Sequence, residues 1–248
     1  MMRYRIYVTS CIVLALLLLG VFLIYRSGLF AAEVDIDLGM LNTGNLNSIT
    51  PDSEKKYRSF FITFGNSHYK KSKVQLISDA ETSMAFDLCI SFSPENIDPH
   101  FRRQHAHIFK QPRGYGYWLW KPYFILKTLS VMSAGDVLLY ADSGCRFKGG
   151  DVRPWLDLAY THDILSFRLL HRNDKYCKAN VFAHMNMSMD VFGPLNQILS
   201  TVVILKKSEK VMAFVSEWLS LCMRPELLTG RPRHFSALPP LFCPRLYS

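Results

Sequence analysis

GYGYWLWKPYFILKTLSVMSAGDVLLYADSGC, residues Gly114 to Cys145, is the stretch from which the rest of the chain can be read. An aromatic loop opens it. Pro122 then stands where a helix can begin, because its missing N–H would be unsatisfied there anyway. Phe124, Ile125, Leu126, Leu129 and Met132 continue at helical spacing, and Ser133 to Gly135 make a turn. Val137 to Ala141 reads as a buried strand whose carboxyl end delivers Asp142-Ser143-Gly144. In open α/β sheets ligands sit outside the carboxyl ends of the strands. An acid there, followed by a glycine that lets a ligand approach the backbone, suits a metal-bound diphosphate.

Working outward, Ser59 to Phe64 is a β-rich run stopped by Gly65-Asn66, and reads as a first strand. Ser72 is placed to cap a helix lined by Val74, Ile77, Ala80 and Met84, after which Asp87 to Phe92 returns as a strand, making a βαβ unit. Asp98-Pro99 marks another capped helix, and Arg102, Arg103, His105 and His107 read as its solvated basic face. Past Cys145 come a loop with Gly149-Gly150, a helix around Trp155 to Tyr160 and an extended run, Asp163 to Leu169. A polar loop, His171 to Asn180, follows, and then a strand at Val202 to Leu205. Ser208 caps an amphipathic helix with Val211, Phe214, Val215, Trp218 and Leu221 on one face. Strands alternating with helices predict an α/β sheet with helices on both faces.

At 248 residues the chain has room for one good-sized domain plus appendages. Residues 6–25 carry no charge, and twenty helical residues span roughly 30 Å, the thickness of a bilayer core. Arg3 and Arg5 before this run, with Arg26 after it, predict a single-pass anchor with residues 1–5 in the cytoplasm and the remainder on the far side. The alternative is a cleaved signal peptide, against which stand the length of the run and the poor cleavage sites around Phe30-Ala31-Ala32. Residues 26–58, rich in Asn, Ser, Thr and Gly, read as a stem, 59–223 as the folded domain, and 224–248, broken by prolines, as an irregular tail.

The net charge of +9 does not point to nucleic acid, since Lys and Arg are spread along the chain instead of forming a stripe. Such a charge equally suits anionic small substrates. With Cys11 in the apolar run, five cysteines remain, enough for at most two bridges, and their spacing fits no zinc pattern. Asn186-Met187-Ser188 is a glycosylation sequon.

The blocks Phe61-Ile62-Thr63-Phe64-Gly65-Asn66-Ser67, Gly114 to Pro122 and Gly135 to Cys145 together resemble a glycosyltransferase-like family with YWxWKP and LLYADxGC motifs. The resemblance covers roughly Ser59 to Cys222. It implies a GT-A-like, nucleotide-diphospho-sugar transferase fold and transfer of a sugar from a nucleotide donor to a glycan or protein acceptor, on a Golgi or other secretory-pathway membrane. Asp142 stands where metal-dependent members of that fold carry Asp-x-Asp, implying Mn²⁺ or Mg²⁺ at the leaving diphosphate. Gly144 replaces the second acid, and a turn role for Asp142 is the alternative.

On the donor side the resemblance places Thr63 and Phe64, at the end of the first strand, with Trp120, Lys121, Asp142 and Gly144. Tyr115, Tyr117, Trp118 and Trp120 offer faces that stack on a base or sugar, or else pack under the loop. Lys121, a cation at a helix start, suggests an outside anion such as phosphate, with plain exposure as its rival. Lys178, Asn180 and Gln197 fall on the acceptor side; Asn180 stands where the family commonly has Asp, and an amide cannot act as a base. No catalytic base is identifiable. The family's His-Asp-Gln-Ser block beyond the last helix is replaced by Arg233 to Pro240, which implies a shortened active site. A membrane-tethered binding protein without catalysis is the second expectation.

Overall fold

The structure, a computed structural model, describes residues 56–147 and 151–228. The expected anchor at 6–25, most of the stem, the Gly149-Gly150 loop, Cys11, Cys243 and the chain beyond Leu228 lie outside those residues. Among the described residues no helix is long and apolar enough to cross a membrane.

Five strands form one mixed sheet: β1 (Ser59–Phe64), β2 (Leu88–Phe92), β3 (Val137–Ala141), β4 (Ile164–Arg172) and β5 (Asn196–Lys206), in the order β2-β1-β3-β5-β4. β1 pairs parallel with β2 and β3, whereas β5 runs antiparallel to both β3 and β4. The longer helices are α1 (Lys70–Thr82), α2 (Pro99–Gln104), α3 (Trp120–Val131), α4 (Arg153–His162), α5 (Ala179–His184) and α6 (Glu209–Cys222). This is the α/β layering expected from the alternating pattern.

Side chains of β1 alternate between two cores, as a pleated strand requires. Phe60, Ile62 and Phe64 join Leu138, Tyr140 and Leu205 under α3 and α6, while Phe61 joins Leu139, Ala141 and Ile204 under α1 and α4. α3 is enclosed on all sides from Trp120 to Leu129, so apolar residues recur around its whole circumference, with Lys121, Lys127 and Thr128 buried among them. It starts two residues before Pro122, leaving the proline in the first turn, where no N–H is needed. The turn into β3 needs Gly135, whose φ of +91° is open to glycine at little cost. Asp136 then accepts from the Arg58 guanidinium at 2.6 Å, tying the start of β1 to β3.

Several expectations change in three dimensions. α1 buries Leu76 and Ala80, while Val74 is 60% and Met84 83% exposed, so the expected face is rotated. Its start at Lys70 also leaves Ser72 inside the helix instead of capping it. The polar loop at 171–180 is the end of β4 plus two short helices, Asn173–Tyr176 and α5. β5 runs longer than Val202 to Leu205 because β4 supplies ladder partners back to Asn196. Leu227, in the expected tail, is buried. The caps at Asp98 and Ser208 are as expected: each side chain accepts a backbone N–H of its helix's first turn, from Phe101 and Val211.

His105 departs from its expected basic face. It is buried with its ring 4.6 Å from Phe101. Burial, with His107 adding to it, holds its pKa below the usual 6.5. The unfolded chain therefore takes up this proton more readily, so the stability His105 contributes is present above the unfolded value and lost as pH falls through the folded one. We expect the unfolding midpoint to drop as pH falls below about 6.5, and His105→Phe to flatten that slope in pH-resolved denaturation.

Candidate functional site

β1 is flanked on one side by β2 and on the other by β3, so the chain leaves β1 in one direction and returns on the opposite side. Such a reversal opens a crevice at the carboxyl ends of the two strands. Phe64-Gly65-Asn66 and Ala141-Asp142-Ser143 both emerge there. A Cβ on Gly65 would lie 3.3 Å from the Ser143 hydroxyl, which shows how closely the two strand ends approach.

Asp142 is the centre of this crevice. Its Oδ1 forms an ion pair with the Lys121 ammonium at 2.9 Å and accepts from the Tyr140 hydroxyl. Lys121 projects from the first turn of α3, its side chain only 4% exposed, and donates a hydrogen bond of 3.0 Å to the Ser200 carbonyl on β5. The Asp142 side chain is 31% exposed, and its backbone N–H is tied to Thr201 O at 2.9 Å. Burial, reinforced by the neighbouring carboxylate, holds the Tyr140 hydroxyl well above the usual 10, so it remains a proton donor at neutral pH. The anion that Lys121 seeks is thus inside the protein, and its side chain is not exposed.

The far wall comes from the β1–α1 loop. Asn66 caps the short turn Ser67–Tyr69 by accepting from the His68 N–H, and Tyr69 leaves half its ring exposed. Lys73 reaches back to the Phe92 carbonyl at 3.0 Å, and burial lowers its pKa. Neither Tyr69 nor Lys73 stands out in the sequence. The available signal is Gly65-Asn66-Ser67, a turn between a strand and a helix at the position where α/β folds hold anions.

The donor-side residues gather at this end of the sheet, but only Asp142 and Gly144 face solvent. Thr63 is fully enclosed, its hydroxyl without a partner among the described residues. The Phe64 ring is covered by Trp120 at 3.9 Å, and the Trp120 indole N–H donates to the Gly114 carbonyl at 2.9 Å. Both rings are core. Trp118 is the open one of the two loop tryptophans, 41% exposed. It ends a left-handed turn in which Gly114, Tyr115, Gly116, Tyr117 and Trp118 all have φ between +51° and +85°. Gly144 faces open space, and a methyl group added there would meet no atom within 4 Å.

The acceptor-side residues form a separate group. Lys178 and the Asn180 amide both donate to the Glu226 carbonyl, and Gln197 donates to the Cys177 sulfur at 3.5 Å. Asn186 is exposed, with a φ of +51°. Cys89, Cys145, Cys177 and Cys222 are all free thiols. Burial raises each of them, Cys222 to about 12, so none is a ready nucleophile.

Among the described residues no group of three or more His, Cys, Asp or Glu could hold a metal ion, and Asp142 already has an ammonium at contact distance. A cleft of about 410 Å³ lined by Tyr57, Arg153, Asp157 and Tyr160 lies at the opposite end of β1, beside Ser59, away from Asp142. The fold and crevice define an open mixed α/β sheet with a neutralised acid at its switch point. No family model matches the chain, and no curated protein or solved structure matches it significantly.

Proposed function

We propose that this chain is a GT-A-like, type II membrane glycosyltransferase that binds a nucleotide sugar in the β1/β3 crevice and transfers the sugar to a glycan or protein acceptor in the secretory pathway. The observation that carries the reading is Asp142 at the switch point, partly exposed beside the open face of Gly144. Supporting it, the β1–α1 loop brings an exposed ring, Tyr69, and the first turn of α1 a cation, Lys73, to the same crevice, suited to a base and a phosphate. Catalysis would rest on positioning and on stabilising the departing diphosphate. The anchor at residues 6–25 and a glycan on the exposed Asn186 belong to the same reading.

The test is titration of the full-length chain with UDP- and GDP-linked hexoses while donor hydrolysis and transfer are followed. Gly144→Leu is expected to change stability by less than about 0.5 kcal/mol, because Gly144 is exposed and an added Cβ meets no protein atom within 4 Å, yet to weaken donor binding tenfold or more by extending into the crevice. Donor affinity unaffected by Gly144→Leu would remove this crevice from the reading.

The second reading is a membrane-tethered nucleotide-sugar or glycan-binding protein that does not turn over. Asn180 favours it, since its amide is committed to the Glu226 carbonyl and offers no base. Binding without hydrolysis or transfer would select it.

A further inference from the structure

The two oxygens of Asp142 face different surroundings. Oδ1 receives both buried donors, the Lys121 ammonium at 2.9 Å and the Tyr140 hydroxyl. Oδ2 has no hydrogen-bond partner among the described residues, which leaves it as the oxygen available to the crevice from a side chain 31% exposed. The ammonium cancels the carboxylate's charge locally, so little field remains to draw in a dication. An ion on this carboxylate would share it with a buried cation. A neutral hydroxyl pays no such penalty. A carboxylate oxygen already oriented by two donors on its twin is a pre-aimed acceptor, and hydrogen bonds to a charged acceptor are the stronger kind.

Resting on the nucleotide-sugar reading above, we propose that Asp142 is a charge-neutralised hydrogen-bond acceptor for a sugar hydroxyl of the bound donor, aimed by Lys121 and Tyr140, and that the crevice binds its donor without a divalent ion. Lys121 and Tyr140 are positioning residues here. Of these three, only Asp142 touches the ligand.

The test uses the full-length chain and UDP-glucose and GDP-mannose as probes, titrated in excess Mn²⁺ and in excess EDTA. The wild type is expected to bind its preferred probe equally in both, within about twofold. Asp142→Asn is expected to weaken binding about ten- to a hundredfold in either condition. The matching free nucleoside diphosphate separates two sources of the hydroxyl: equal loss for it marks the ribose, and loss confined to the nucleotide sugar marks the transferred sugar. Lys121→Met uncovers the carboxylate's charge and is expected to make affinity respond to Mn²⁺ by about tenfold, while Lys121→Arg restores indifference, a pattern that mere loss of structure does not produce.

Donor binding that disappears in EDTA overturns the proposal, and that comparison needs no variant to fold. Mn²⁺ alone, followed by its electron paramagnetic resonance signal, supplies an arm independent of donor identity. The wild type is expected to leave the ion free, and micromolar Mn²⁺ binding abolished by Asp142→Asn overturns the proposal whatever the nucleotides do. Failure of both nucleotide sugars to bind would instead sink the proposed function.

Discussion

Lys121→Met is expected to lower the stability of the fold by about 3–5 kcal/mol, nearer the lower figure because Asp142 is partly solvated. Methionine keeps most of the stem volume inside α3, so the loss reports the charge and not a cavity. Three groups are left short by the change: the Asp142 carboxylate keeps only Tyr140, the Ser200 carbonyl loses its donor, and the start of α3 loses its tie to β5. Urea denaturation followed by tryptophan fluorescence measures the cost. The double variant Lys121→Met, Asp142→Asn is expected to recover part of it, because a buried pair removed together is far cheaper than one partner left alone. A loss under about 1 kcal/mol for Lys121→Met would mean that the pair behaves like a surface ion pair, and that the carboxylate is free to take other cations.

Trp120→Ala is expected to cost a further large amount, about 3–5 kcal/mol, as truncation of an enclosed indole does. The ring is 6% exposed, lies flat on Phe64 and donates its N–H to the Gly114 carbonyl. That last bond pins a turn whose three non-glycine residues, Tyr115, Tyr117 and Trp118, sit in the left-handed region at about 1 kcal/mol or more apiece. Removing the indole takes away a contact that holds this strained turn in place. The sequence leaves two roles open for Trp120, stacking on a base or packing beneath the loop. A ring covered by Phe64 is committed to packing. Stability unchanged within about 1 kcal/mol, together with lost donor binding, would return the base-stacking role to Trp120.

Much of the layering is legible from local pattern. β1 and β3 have the limits that their apolar runs predict, and the caps at Asp98 and Ser208 are visible as Asp and Ser before helical spacing. The buried face of α1 is not. Val74, Ile77 and Ala80 satisfy the helical period as well as Leu76 and Ala80 do, and only the sheet underneath selects between them. The far end of β5 escapes local reading for a similar reason: Asn196 to Thr201 is too polar to announce a strand, and becomes one because β4 offers it a ladder.

Lys121 shows the limit most clearly. Charge and position at a helix start make it read as a side chain seeking an external anion. Its partners are Asp142, twenty-one positions on, and a carbonyl at Ser200, seventy-nine positions on, and neither separation leaves a trace in local sequence. By itself the sequence determined the alternation of strands and helices, the acid at the end of β3 and the glycine beside it, because hydrophobic period, turn chemistry and capping act over a few residues. Only the tertiary structure decided that the acid arrives at a switch point already neutralised, and that the aromatic block splits into a buried Trp120 and an open Trp118, because burial and ion pairing depend on which distant segments the sheet brings together.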